Sequence, residues 1–366
     1  MSSPAQKPTV NKERLRALRW RAQFLDPRPD KGDPARIVRA VGAIQAQEPS
    51  AAALALRARG GGFDSSEVER SRVEDRSYVR TWCQRGTIHL VPAEDVVWML
   101  GALRQTLIAA RASRWRALGL DEDIYAKARR SLRKALGDGP LTRAEIGERW
   151  SASGLDVSGQ RLPHLISRAA IDGDVCDGPD RGRDRTWVRL EDWIDPVPGP
   201  QGAKAVAELA RRHLSGHGPV EARDLAAWAG LKVSDARAGW KLIEGELEEL
   251  QTPWGRRWML SGAAQDGSER GGAARLLGAF DAYLLGYRDR AEIAPAPHVK
   301  KVSGSANLRV PAAAAVGGEV LGTWRMSKKG GGFEVEIEPF GELDRSTFAA
   351  EVADISRFLG RPVRLL

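Results

Sequence analysis

Two glutamines separated by one residue, Gln45 and Gln47, are the side chains whose type and spacing best suit chemistry in this sequence. They precede Pro49, which suits the first turn of a helix. Because the residue before a proline is driven out of the α region, Glu48 should be extended and residues 45–47 should form a joint between two helices. In an extended joint, side chains i and i+2 point to the same side. The two amides can therefore converge on one small object, such as a water molecule or a sugar oxygen.

The competing interpretation of this pair is structural. Both glutamines would then cap helix ends or bind nearby backbone, and Glu48 would cap the helix that begins at Pro49. Other kinds of site find little support in the sequence. No two of the five histidines have metal-ligand spacing, and no P-loop motif is present. We therefore expect neither a metal nor another cofactor.

A short hairpin supplies a second candidate site. Residues 79–82 and 87–91 have the composition of two strands around a tight turn that contains Arg85. An arginine at the tip of such a hairpin, if the hairpin is the wing of a winged helix, commonly lies along a DNA groove, which makes Arg85 and His89 candidates to contact phosphate or the edge of a base. The alternatives are a packed wing with a solvated Arg85, and a His89 that is satisfied within the core.

Two basic helices form a third class of candidates. Arg14 belongs to an N-terminal helix that also carries Arg16 and Arg19, and Arg114 follows a long helix predicted over residues 96–113. Arginines on such helices can bind phosphates, although most charges of this kind are solvated.

Composition places the chain among globular proteins suited to a polyanionic partner. It has 366 residues, more than one ordinary core requires, with a net charge of +9 and a pI near 9.8. Dispersed positive charge suits a DNA surface, although an organism that favours arginine would give the same excess. Two distant cysteines form no redox motif and fit a reducing cytoplasm. We expect no signal peptide, no membrane span and no obligate protein partner.

A recurring order of elements predicts repeated modules. The N-terminal part reads helix, helix, helix, hairpin, which is the order of a winged helix-turn-helix unit. Gly-Pro segments near residues 139 and 218 each open a similar pattern, with later helices predicted over 158–171 and 233–250. Beyond residue 272, a three-stranded meander, a helix and a last strand follow, with a flexible basic turn at 327–332.

The predicted fold class is mainly α with small β-hairpins (α+β): three tandem winged helix-turn-helix units plus a C-terminal α+β domain. The predicted divisions are a disordered N-terminus (1–10), winged-helix unit 1 (11–117), unit 2 (118–198), unit 3 (199–271) and the C-terminal domain (272–366).

Five motifs follow one another along the chain: Gln45-x-Gln47, Thr81-Trp82, Arg85-Gly86-Thr87-Ile88-His89-Leu90, Ala279-Phe280-Asp281-Ala282-Tyr283-Leu284-Leu285-Gly286-Tyr287-Arg288-Asp289-Arg290 and Leu321-Gly322-Thr323-Trp324-Arg325. In this order and spacing they resemble the AlkZ-like family of bacterial winged-helix DNA glycosylases, which includes azinomycin-resistance glycosylases, in its Gln-x-Gln branch. The resemblance extends from about Arg14 to the C-terminus.

The resemblance implies a monofunctional, metal-independent DNA glycosylase. It would hydrolyse the N-glycosidic bond of N-alkylated purines in double-stranded DNA, including interstrand crosslinks, as a monomer and from an open site without full base flipping. Gln45 and Gln47 would be catalytic and would orient the hydrolytic water with their carbonyl oxygens. The predicted DNA-binding residues are Arg85, Thr87, His89, Arg14, Arg114, Tyr287 and Arg288.

Two other functions remain compatible with the sequence. Winged helices occur most often in DNA-binding regulators without enzymatic activity, and fold alone does not decide between these roles. Regulators, however, usually combine one winged helix with a ligand or dimerisation domain, whereas three units in one chain suit enclosure of DNA. A protein-interaction scaffold with an incidental basic surface is the third possibility, and weak, salt-insensitive DNA binding would favour it.

Overall fold

The computed structural model describes residues 8–263, 272–304 and 309–366 as a mixed α+β protein, in agreement with the predicted class. The helices are α1 (Lys12–Ala22), α2 (Pro34–Val41), α3 (Pro49–Arg59), α4 (Ser65–Val73), α5 (Val96–Ala117), α6 (Glu122–Ala135), α7 (Arg143–Ala152), α8 (Arg161–Ile171), α9 (Leu190–Trp193), α10 (Gly202–His217), α11 (Ala222–Ala229), α12 (Val233–Lys241), α13 (Ala282–Leu285), α14 (Val299–Val302) and α15 (Ala349–Leu359).

The strands form four sheets within these described residues, in the orders β1-β3-β2, β4-β6-β5, β7-β8 and β13-β12-β11-β10-β9. Their bounds are β1 (Ile44–Gln45), β2 (Tyr78–Trp82), β3 (Ile88–Pro92), β4 (Leu141–Thr142), β5 (Val175–Asp177), β6 (Thr186–Arg189), β7 (Leu247–Thr252), β8 (Gly255–Leu260), β9 (Ala274–Leu277), β10 (Ala313–Val316), β11 (Glu319–Lys329), β12 (Gly332–Pro339) and β13 (Val363–Leu365).

Proline and its neighbours set the joint that carries the glutamine pair. Asp33 caps the start of α2. The helix ends at Val41, and Gly42 follows as its C-cap with a φ of +83°. Glu48 is extended, with φ −108° and ψ 100°, and Pro49 occupies the first turn of α3, as the sequence predicts. The few residues between α2 and α3 therefore have room for only a two-residue strand, β1.

The predicted hairpin is present and places Gln45 opposite His89. Strands β2 and β3 pair antiparallel, with Thr81 opposite His89. Strand β1 adds to the other side of β3, with Gln45 opposite His89. Because direct cross-strand partners share one face of a sheet, the side chains of these three residues lie on the same face.

The second and third repeats depart from prediction at their later helices. Helix α8 begins at Arg161 rather than at residue 158. Helix α12 ends at Lys241, and the end of the predicted helix 233–250 lies instead in β7, which pairs with β8. Pairing with β8 outweighs the helical periodicity over the end of this segment, and Pro253 lies in the turn between the two strands.

The C-terminal sheet contains the predicted meander and the predicted last strand, β13, and gains one further strand, β9. Gly317 and Gly318 have φ values of +56° and +84°, as a type I′ turn requires. The predicted flexible turn at 327–332 is wrong, because β11 and β12 continue until Lys329 pairs with Gly332. Strand β9 extends the meander on one side, and β13 pairs parallel to β12 on the other.

The hydrophobic cores cross the predicted domain boundaries. One core joins Ile37, Leu56 and Leu90 of the N-terminal part to Ile337 and Phe358 of the C-terminal part. The C-terminal sheet therefore packs directly on the elements that hold the glutamine pair. The division into three winged-helix units and a separate C-terminal domain stays a prediction.

The N-terminal segment is ordered closer to the chain start than predicted. Thr9 forms a parallel bridge with Gln251 in β7, and the Val10 N–H donates to the Gln251 carbonyl at 2.8 Å. The predicted disorder of residues 1–10 is wrong for residues 8–10, and residues 1–7 lie outside the described part of the chain.

None of the helices that the structure describes is long and apolar enough to cross a membrane.

Candidate active site

The two glutamine amides meet, as the sequence predicts. Gln45 Nε2 donates to Gln47 Oε1 at 2.9 Å. The Gln45 side chain is buried, whereas Gln47 is exposed. Within the described residues, the hydrogen bonds of these two amides run to each other and to Arg85, and neither amide caps α2 or α3. The helix-capping interpretation of the pair is therefore wrong.

Arg85 lies in the 3-10 turn Gln84–Gly86 with a positive φ of +53°. Its guanidinium points into the protein: Nη1 donates to the Trp228 carbonyl in α11, and Nη2 donates to Gln45 Oε1 at 3.0 Å. The turn can approach α11 because Gly230 has no Cβ, which would meet the Arg85 backbone nitrogen at 2.9 Å. Arg85 thus does not extend along a groove as predicted for a wing tip, because α11 covers the turn.

His89 is 1% exposed and lies beside Arg85. Its Nε2 is 3.3 Å from Arg85 Nη2, and its Nδ1 is 3.0 Å from the Thr87 carbonyl. Because a guanidinium only donates, Nε2 accepts and Nδ1–H donates. Burial, then the Arg85 charge, lower the pKa of His89 to about 3. His89 is therefore a neutral core histidine, and its burial contradicts the prediction of direct DNA contact.

Glu48 does not cap α3, which corrects the structural interpretation of this residue. Its carboxylate instead binds Arg309 through two contacts, Nη1 at 2.6 Å and Nη2 at 3.1 Å. This ion pair lines a cavity of about 320 Å³ between α3 and the C-terminal sheet, with Leu54 and Met326 among its apolar walls. Arg309 was not predicted, because it lies 261 positions from Glu48 and no local pattern connects them.

Two arginines at the turn, Arg85 and Arg111, have no carboxylate partner in the described part of the chain, whereas the charge of Asp289 acts on nearby Arg290. Burial lowers the pKa of Arg85 to about 10, and Arg290 contributes to that lowering. Burial also lowers the pKa of Arg290 and of Arg111, whose Nη2 donates to the Gly86 carbonyl. By contrast, the pKa of Arg57 lies above its ordinary value. Burial alone would lower this pKa, but the neighbouring carboxylates of Glu351 and Asp354 raise it by more. The site thus carries uncompensated positive charge, which suits a polyanion.

Four of the other predicted DNA-binding residues are at least partly accessible. Thr87 is half-buried and its hydroxyl donates to the Gln84 carbonyl at 3.3 Å. Arg114 is exposed on α5, where it donates to Gln160 Oε1 at 2.5 Å. Arg14 is half-buried on α1, and Arg288 is exposed just after α13. Their contacts with DNA stay predictions.

Tyr287 and two arginines of α1 are buried, so they cannot bind DNA as the sequence predicted. Tyr287 is 2% exposed, donates to the His217 carbonyl at 3.3 Å and lies 4.0 Å beneath the Arg19 guanidinium. Its assignment to DNA binding is wrong, because the hydroxyl is enclosed by the core. Arg19 is fully buried against Glu292 at 2.6 Å, and Arg16 binds Glu319 at 3.0 Å. These two arginines are structural and do not offer a phosphate surface.

Neither cysteine has the features of a nucleophile or a ligand. Cys83 and Cys176 are both free and buried, and burial raises the pKa of each thiol, to about 12 for Cys83. A buried thiol with a raised pKa is unreactive. No group of three or more histidine, cysteine or acidic side chains is arranged to hold a metal ion among the residues that the structure describes.

Comparison with known proteins gives consistent results across the chain. A family model described as "DNA glycosylase AlkZ-like" matches residues 38–358. The "Interstrand DNA cross-link repair glycosylase" of Streptomyces sahachiroi is 28% identical over 369 residues, covering 96% of this chain and 98% of that protein. The solved structure of "Streptomyces sahachiroi DNA glycosylase AlkZ" matches with a TM-score of 0.83 at 24% identity, covering 98% of this chain and 100% of that one.

Proposed function

Because the chain belongs to the AlkZ-like DNA glycosylase family, we propose that it hydrolyses the N-glycosidic bond of N-alkylated purines in double-stranded DNA. The observation that carries this proposal is the pair of amides 2.9 Å apart, one buried and one exposed, beside the Arg85 guanidinium. Such a site combines neutral hydrogen-bonding groups for a water molecule with nearby positive charge, which suits a polyanionic substrate.

The chemistry requires little acid catalysis. A purine alkylated at N7 is positively charged and leaves readily, so the enzyme must stabilise a sugar with oxocarbenium character and place water beside it. The amide pair of Gln45 and Gln47 can bind a water through hydrogen bonds without supplying a charge. His89 stays neutral at physiological pH and is buried, which argues against a role as general acid.

An open site supports bulky lesions as substrates. Gln47 is exposed rather than enclosed in a pocket. Enzymes with a tight pocket extrude a base to reach it, and a base crosslinked to both strands is not free to enter such a pocket. The Streptomyces sahachiroi relative is named for interstrand crosslink repair. We extend that substrate class to this chain, which we propose acts as a monomer in the cytoplasm.

A DNA-binding regulator is the less favoured alternative. Two converging amides beside solvent can bind a water molecule for hydrolysis. A regulator does not require such a water. The family match is to glycosylases and extends over most of the chain.

Base release from a defined duplex tests the proposal. One oligonucleotide would carry a single N7-methylguanine, a second an interstrand crosslink between N7 atoms of guanines, and a third no lesion. We expect abasic sites, detected by alkali cleavage, in the first two and none in the third, with no effect of EDTA. Lesion-independent binding without base release would contradict the proposal and favour the regulator.

A further inference from the structure

We propose that Arg85 is a positioning residue that fixes the direction of hydrogen bonding through Gln45, so that Gln47 alone offers a carbonyl oxygen to the hydrolytic water. The inference rests on the proposed glycosylase function and adds a residue to it. It also changes the role predicted for Gln45, whose carbonyl oxygen would not face the water.

The direction follows from the donor inventory. A guanidinium has donors and no acceptor, so the atom of Gln45 that faces Arg85 Nη2 at 3.0 Å must be the carbonyl oxygen. The Gln45 amide group then points the other way and donates to Gln47 Oε1 at 2.9 Å. An inverted Gln45 would direct its N–H bonds at the cation, which is unfavourable in a buried site.

His89 and Trp228 hold the guanidinium in place. Arg85 Nη1 donates to the Trp228 carbonyl, and the neutral His89 accepts at Nε2, 3.3 Å from Arg85 Nη2. The His89 tautomer is set in turn by the Thr87 carbonyl. Each contact on Arg85 is therefore made by an acceptor, and the contacts hold its Nη2 towards Gln45.

The consequence lies at Gln47. Its carbonyl oxygen has two lone pairs, of which one accepts from Gln45. The second can accept a hydrogen bond from a bound water, which leaves a lone pair of that water free to attack the sugar carbon C1′. During the attack the O–C1′ bond forms and the N-glycosidic bond breaks, with its electron pair leaving on the purine. The water proton passes to solvent.

The inward position of Arg85 distinguishes this role from phosphate binding. A phosphate ligand releases counterions, so its removal reduces the slope of log K against log salt by about 1. A residue that acts through Gln45 changes the rate and not that slope. The two roles thus give opposite results in one experiment.

Single-turnover base release and DNA affinity at several salt concentrations would be measured for wild type, Arg85→Ala and Arg85→Lys, on a duplex with one N7-methylguanine. We expect Arg85→Ala to lower the rate constant about 10- to 100-fold, with Kd within about threefold and the salt slope unchanged. Arg85→Lys should recover part of the rate. Arg133→Ala, which removes an exposed ion pair with Glu191, is the matched control and should behave as wild type.

A double variant separates action through Gln45 from an independent effect. Adding Arg85→Ala to Gln45→Ala should lower the rate by no more than about threefold, because the group that Arg85 orients is already absent. Full additivity, an unchanged rate in Arg85→Ala, or a salt slope reduced by about 1 would each overturn the inference. Wild-type activity in the same assay keeps these outcomes separate from failure of the proposed function, and thermal melts exclude unfolded variants.

Discussion

Gln45 and Gln47 show how much a short sequence can specify. Their convergence was predictable because Pro49 forces Glu48 to be extended, and an extended joint turns both amides to one side. The contact of Arg85 with Gln45 could not be predicted, because the turn that carries Arg85 is held by α11, whose Trp228 carbonyl lies 143 positions away. The partner of Glu48 was equally hidden in the sequence. Sequence spacing thus predicts that the two amides meet, and tertiary contacts set the direction of the hydrogen bond between them.

Substitution of Gln47 tests which group of its amide is used. Gln47→Glu keeps an acceptor for both the Gln45 amide and the water, so we expect the base-release rate to stay within about tenfold of wild type. Gln47→Leu keeps the approximate size of the side chain and removes the acceptor, and should cost about 100-fold or more. Single-turnover kinetics on the same duplex would measure both. Equal losses in the two variants would contradict an acceptor role for Gln47.

Packing of α11 against the turn that carries Arg85 holds the candidate site together. The hairpin was predicted from its composition, but the helix predicted over 233–250 was wrong in its second half, because strand pairing between β7 and β8 outweighs helical periodicity there. Helix α11 and Gly230 hold the Arg85 turn against the joint. The elements of this site were thus mostly predictable, whereas their packing was not.

Gly230→Ala tests the fit of α11 against the turn. Gly230 has a φ of +80°, and an added Cβ would meet the Arg85 backbone nitrogen at 2.9 Å. We expect the free energy of unfolding to fall by about 1–3 kcal/mol, and base release to slow because Arg85 is displaced. Gly101→Ala in α5, where a Cβ meets nothing within 4 Å, is the control and should be neutral or stabilising. Urea denaturation would compare the two, and equal stability in both would argue against the tight fit.

Helix α10 contributes two buried histidines that make stability depend on pH. Burial lowers the pKa of His213 to about 4 and that of His217 well below its usual value, and the two rings stack with centroids 5.0 Å apart. With His89 this makes three histidines that stay neutral in the folded protein and titrate near 6.5 once unfolded. The unfolded chain therefore binds more protons between pH 6.5 and about 4, so acid favours unfolding.

Urea denaturation at several pH values measures this effect. Each of the three histidines should remove about 1.4 kcal/mol of unfolding free energy per pH unit below 6.5, or about 4 kcal/mol in all at pH 5.5. His213→Gln should reduce the dependence by about a third. A free energy of unfolding that is constant between pH 7.5 and 5.5 would contradict the buried, neutral state of these rings.

Buried ion pairs join distant parts of the whole molecule. Arg57 and Arg59 of α3 are fully buried, and they bind Glu351 at 2.8 Å and Asp281 at 2.7 Å respectively. The sequence identified the excess of arginine and its suitability for DNA, but it could not separate structural arginines from functional ones. That separation depends on carboxylates more than two hundred positions away. Arg111 has no such carboxylate in the described part of the chain, so its charge suits a polyanion.

Arg59→Met tests the buried ion pairs. The variant leaves Asp281 buried without its cation, which should lower the free energy of unfolding by about 3–5 kcal/mol. Arg39→Met removes an exposed pair with Glu94, in which the two side chains are 48% and 36% exposed, and should cost about 1 kcal/mol or less. Chemical denaturation of both variants gives the comparison. Similar costs would show that Arg59 is not a structural link between α3 and the C-terminal part.

The catalytic role of Gln45 and Gln47 is tested first by comparing glutamine variants for base release and DNA binding on a duplex with one N7-methylguanine. The variants are Gln45→Ala, Gln47→Ala and Gln201→Ala, the last removing an exposed glutamine whose side chain makes no capping bond. We expect the first two to lose about 100-fold or more in single-turnover rate, with Kd within about threefold, and Gln201→Ala to match wild type. Loss of binding in proportion to loss of rate, or full activity in both site variants, would contradict the catalytic role.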